Sequence, residues 1–98
     1  MVKKVRFSSL ANINLESIVK YLKNEWSVRS AEKFLNIFDK KISNLKLFPQ
    51  SSPQVEGKND VRKCMITKQI SLYYKFEKNE IYVISLIDNR QDSDELKI

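Results

Sequence analysis

Apolar residues recur along this chain with two different periods. Val5 and Phe7 alternate with Lys4 and Arg6, which predicts a short strand over residues 3–7. Ser8 or Ser9 then offers an N-capping hydroxyl. Ala11, Leu15, Ile18, Val19, Leu22 and Trp26 follow at helical spacing, while Asn12, Glu16, Lys20 and Lys23 fall on other faces. This predicts a helix from about Leu10 to Glu25. Ser27 caps a second helix, whose apolar stripe is Ala31, Phe34, Leu35, Phe38, Ile42 and Leu45. Lys40, Lys41 and Lys46 lie towards its C-terminal end, where the helix dipole favours cations, and Pro49 stops it. The short link makes the two helices an antiparallel hairpin.

Residues 49–60 hold both prolines and the only glycine and form the one long connection. Three strands are predicted after it. The first runs over residues 61–67. The second, residues 69–77, places Ile70, Leu72, Tyr74 and Phe76 on one face and Ser71, Tyr73 and Lys75 on the other. Lys78 and Asn79 suit a two-residue turn. The third, residues 81–87, is apolar on both faces apart from Ser85, as a central strand should be. The expectation is an α+β fold of order β-α-α-β-β-β, one domain over residues 1–98. A two-helix antiparallel hairpin packs on one sheet made by a three-stranded antiparallel meander and the first strand.

Charge adds an asymmetry. Net charge is +6, with ten Lys or Arg and four Asp or Glu in residues 1–50 but eight of each in residues 51–98. A basic half suits nucleic acid, an acidic protein partner, or simply a solvated helix face rich in lysine. No apolar run approaches the ~20 residues of a membrane span, and no apolar signal region follows the basic start, so a cytoplasmic protein without membrane attachment is expected.

Candidate chemistry is narrow. The chain has no His and one Cys, so neither a transition-metal site nor a His-activated nucleophile is expected, and no cofactor is implied. Cys64 lies in a strand pattern beside Met65 and Ile66 and reads as a buried, inert thiol. Arg62 begins on an apolar strand face, where its guanidinium needs a carboxylate or carbonyl partner. The strand end Asp88-Asn89-Arg90-Gln91-Asp92 gathers two acids, two amides and a guanidinium. In a meander the first and third strands run parallel, so Arg62 and Arg90 are expected towards opposite ends of the sheet.

The run Leu15-x-x-Ile18-x-x-Tyr21-Leu22, Trp26, Ala31-x-x-Phe34, Ile42-x-x-Leu45-x-x-x-Pro49, Val61-Arg62-Lys63, Leu72-Tyr73-Tyr74 and Ile81 through Asp88-Asn89-Arg90-Gln91-Asp92 resembles the RelE/ParE toxin superfamily of bacterial type II toxin–antitoxin systems, and its ParE-like branch most. The resemblance covers nearly the whole chain. It implies the helix-hairpin-on-sheet fold and a cognate antitoxin whose acidic segment folds on the toxin, at an exposed sheet edge or on the basic hairpin. ParE-type members inhibit DNA gyrase by protein contact; on that reading Asp88, Asn89, Arg90 and Gln91 dock the target, with Asp88 orienting Arg90. RelE-type members are ribosome-dependent mRNA endoribonucleases, for which Arg62, Lys63 and Arg90 would be the catalytic candidates. Such cleavage needs a proton acceptor and a proton donor, and a lysine serves as base only with a strongly lowered pKa. No aromatic residue follows Tyr82, which favours the ParE-like reading over the nuclease. A third possibility is an inactive member that serves only as an antitoxin-bound co-repressor.

Overall fold

The computed structural model describes Val2 and residues 4–88. The elements are β1 (Lys4–Phe7), α1 (Ser9–Glu25), α2 (Val28–Leu47), β2 (Val61–Met65), β3 (Ile70–Glu77) and β4 (Glu80–Asp88). This is the expected α+β order. Both helices start where a serine precedes the stripe: the Ser8 hydroxyl accepts from the Ala11 N–H, and the Ser27 hydroxyl from the Ser30 N–H. Each cap satisfies one amide that the first turn leaves without a partner, worth ~1 kcal/mol. Among the described residues no helix is long and apolar enough to cross a membrane.

The sheet order is β1-β4-β3-β2. β4 and β3 are therefore the centre, as the two-sided apolar pattern of residues 81–87 implied. β1 pairs parallel with β4, and the other neighbours are antiparallel. The β3–β4 turn uses Lys78 and Asn79 at φ 52 and 62, the paired positive values of a tight hairpin.

One sheet face, with Ile70, Leu72, Tyr74, Ile81, Val83 and Leu86, buries against Ile18, Leu22, Phe34, Phe38 and Leu45 of the helices. Phe38 stacks between Phe7 and Phe34, each ring centroid 6.0 Å away and tilted, within the range that favours aromatic pairs. Both helix stripes are thus core, with one correction. Trp26 is 66% exposed. It sits at the C-cap of α1, where the backbone (φ −125, ψ −83) leaves the helix, so its side chain departs from the stripe that Leu22 continues.

The register of β4 against β3 shifts at Ile84. Tyr73 pairs with Ser85 but Tyr74 with Val83, so β4 carries one extra residue there. The bulge shifts the phase: Ile81 and Val83 face the helices before it, and Leu86 after it. β1 ends opposite Val83, so beyond that row β4 has no strand neighbour on that side among the described residues. Helix α1 supplies the partners instead. The Ser8 hydroxyl donates to the Ile84 carbonyl at 2.6 Å, and Asn14 Oδ1 accepts from the Leu86 N–H at 3.1 Å.

Candidate functional site

The strand residues singled out by sequence fall at three separate places. Arg62 stands opposite Tyr74, on the face that the helices cover. Its Nη1 donates to the carbonyls of Gln50 and Ser52, at 3.2 and 2.7 Å. The carbonyl partner that an arginine on an apolar face requires is therefore supplied by the α2–β2 connection. The Tyr74 hydroxyl donates to the neighbouring Pro49 carbonyl at 2.8 Å. Sequence reading placed Tyr74 only as a core-facing residue; the period-2 pattern gave its face but not the loop carbonyl that its hydroxyl meets.

Lys63 is the next residue, so its side chain leaves the opposite side of β2, and it is exposed. Arg62 and Lys63 do not converge. Asp88 ends β4, buried, in the row of Ile70. Arg62 is in the row of Tyr74, four residues along β3 and two strands from Asp88. At ~3.3 Å per residue, that is about 13 Å along the strand direction alone. The expected separation of the two strand ends is present. Asn89, Arg90, Gln91 and Asp92 lie outside the described residues.

A cleft of ≈ 530 Å³ opens where the C-terminal half of α2, the connection and β2 meet. Lys41 and Lys63 line it with Asn44, Ser51, Ser52 and the apolar Leu45 and Met65. Among the described residues no carboxylate lines it. In the sequence Lys41 is only a cation near a helix end; its place beside β2 depends on how α2 lies on the sheet. Cys64 borders the cleft, half-buried. Burial pushes its thiol up, against smaller lowering effects from the Ser52 hydrogen bond and the Lys41 charge. A raised thiol pKa leaves little thiolate, so the geometry favours an unreactive cysteine.

A second groove, of ≈ 310 Å³, lies at the tip of the hairpin. Leu22, Trp26, Phe34, Ile37 and Ile70 make it apolar, with Lys33 and Gln69 also lining it. Among the described residues no group of three His, Cys, Asp or Glu could hold a metal ion. What these surfaces offer is recognition: two cations bordering one cleft, an exposed indole in another place.

The model of the ParE toxin of the type II toxin–antitoxin system parDE matches residues 5–93. No curated protein matches the chain by sequence. Among solved structures, the chromosomal ParDE toxin–antitoxin system from P. aeruginosa superposes with a TM-score of 0.72 at 14% identity, covering 87% of this chain and 94% of that one. A metal-bound toxin from Helicobacter pylori gives 0.66 at 20% identity, covering 94% and 99%. The E. coli DinJ–YafQ toxin–antitoxin complex gives 0.65 at 10%, covering 94% and 98%. At such identities these likenesses establish the shared fold.

Proposed function

Because the chain belongs to the ParE toxin family of type II toxin–antitoxin systems, we propose that it inhibits DNA gyrase by protein–protein contact and is neutralised by a cognate antitoxin. The observation that carries docking over cleavage is the placement of the two described cations. Arg62 is held by loop carbonyls and Lys63 leaves the other side of the strand. RNA cleavage at these residues would require both to meet one phosphate, beside a proton acceptor and donor. Their divergence supports a toxin that acts through its surface. The proposed contact surface is the strand end at Asp88, continuing through Asn89, Arg90 and Gln91, together with the helix hairpin.

The test is a supercoiling assay with purified gyrase, relaxed plasmid and the full chain. Inhibition that is relieved by Arg90→Ala supports the reading. Normal supercoiling at a large excess of folded protein overturns it. New 5′ ends within codons, seen by primer extension on mRNA from expressing cells, would assign the chain to the nuclease class instead. Unimpaired growth on strong induction without an antitoxin would mark an inactive co-repressor partner.

A further inference from the structure

The groove at the hairpin tip is assembled from three segments. Lys33, Phe34 and Ile37 lie three and four residues apart on α2 and so share one face. Leu22 and Trp26 are one turn apart at the end of α1, and the β2–β3 turn brings in Thr67, Gln69 and Ile70. That turn is closed on itself. The Thr67 hydroxyl accepts from the N–H groups of Gln69 and Ile70, each at 3.2 Å, and the Ile70 carbonyl accepts from those of Ile66 and Thr67. These backbone groups are satisfied, so recognition falls to the side chains. Leu22, Phe34 and Ile70 are buried, Ile37 is half-buried, and Trp26 is 66% exposed. An exposed apolar residue standing alone needs no explanation, but this indole lines one groove with four other apolar side chains.

Charge decides what such a groove accepts. Among the described residues Lys33 is the one charged residue that lines it, and its ammonium has no ion-pair partner. Asp88 is in the row of Ile70 but is buried and does not line the groove. Next to the lining residues in sequence, Lys23, Arg29 and Lys68 outnumber Glu25 and Glu32. We propose that the groove binds a compact hydrophobic carboxylic acid, with its ring or branched chain against Trp26, Phe34 and Ile37 and its carboxylate on Lys33. At ≈ 310 Å³ the groove sits at the lower end of the roughly 300–1,000 Å³ usual for small-molecule sites, which are mostly apolar with a few polar groups that fix orientation. That size admits about one ring and a short chain. The ammonium attracts the carboxylate by a charge-assisted hydrogen bond and repels a cation of the same shape. Thr67 and Gln69 add polar side chains at the same groove.

The test titrates 3-phenylpropionate into the ¹⁵N-labelled full chain. Trp26 is the only tryptophan, so its fluorescence reports this groove. Its emission moves to the blue and saturates, with half-saturation at or below about 1 mM, and the amide shifts centre on Lys33, Gln69 and Ile70. The alcohol 3-phenylpropanol and the amine 3-phenylpropylamine bind about threefold or more weakly than the acid. Lys33 is exposed, so Lys33→Gln keeps the fold. It weakens the acid about threefold or more and leaves the alcohol unchanged. Trp26→Ala, followed by amide shifts, weakens both. No saturation by about 10 mM acid overturns the proposal. So does an amine that binds as tightly as the acid, unchanged acid affinity in Lys33→Gln, or shifts centred on the cleft of Lys41. Trp26 emission that moves with protein concentration alone assigns the groove to a second copy and overturns it too. Binding is read on the free chain, so it stands or falls apart from gyrase inhibition.

Discussion

Arg62 and Tyr74 face each other across β2 and β3, and both hold the same stretch of the α2–β2 connection. The guanidinium takes the carbonyls of Gln50 and Ser52 at 3.2 and 2.7 Å, and the phenol takes that of Pro49 at 2.8 Å. Three consecutive-region carbonyls with no helical or strand partner are thereby satisfied by one cross-strand pair. The pair fixes the chain as it leaves α2 and so shapes the cleft beside it.

Tyr74→Phe removes one hydrogen bond without a cavity and should destabilise by ~1 kcal/mol; Arg62→Ala should cost ~1–2 kcal/mol. Since both act on one loop, the double variant should fall short of the sum by ~0.5 kcal/mol or more. Urea denaturation of the four proteins measures the coupling. Strict additivity would show that the two contacts act independently.

Alkaline pH should weaken the same clamp. Burial, ahead of the other influences, raises the Tyr74 pKa above its usual 10.0. The unfolded chain then loses this proton first. The stabilisation is complete below the ordinary value and is lost as pH rises through the higher folded value. Urea midpoints followed from about pH 8 to about pH 11 should fall at the alkaline end, and Tyr74→Phe should fall less. An equal fall in both proteins would exclude Tyr74 as the source.

Ser8 and Asn14 should matter more than surface polar residues do. Ser8 caps α1 and donates to Ile84, and Asn14 serves the Leu86 amide. Ser8→Ala should cost ~1–2 kcal/mol. Asn14→Leu, which strands the Leu86 amide, should cost ~1–3 kcal/mol. Faster amide exchange at Leu86 in the Asn14 variant would confirm the contact, and unchanged exchange would refute it.

Trp26 and Phe34 line one groove but differ in burial, at 66% and 4% exposed. Trp26→Ala should change stability by less than ~1 kcal/mol, whereas Phe34→Ala should cost ~3–5 kcal/mol. Thermal melts of the two variants decide this. A large loss on Trp26→Ala would mean that the indole packs in the folded core.

Ser85 is buried opposite Tyr73, and among the described residues its hydroxyl has no hydrogen-bond partner. Ser85→Ala should therefore be neutral or stabilising by up to ~1 kcal/mol. A clear loss in a urea melt would reveal a partner for this hydroxyl.

What the sequence by itself determined was set by neighbours a turn or less away. Ser8 and Ser27 cap, the stripes of period 3.6 turn inward, Pro49 stops α2, and Lys78 and Asn79 close a tight turn. Those preferences are local energies, so the order and type of every element were legible, and with them the family. The need of Arg62 for a carbonyl was also legible; which carbonyl was not. Tertiary structure alone decided the features that join distant residues. Ser8 meets Ile84 and Asn14 meets Leu86 only because α1 lies where β1 has ended. The bulge at Ile84 reverses the strand's phase, which a run apolar on both faces does not betray. Trp26 satisfies the helical spacing yet lies outside the core, because the helix ends at that residue. The cleft between Lys41 and Lys63 exists only once α2 is laid across β2, since its two cations belong to elements that share no local pattern.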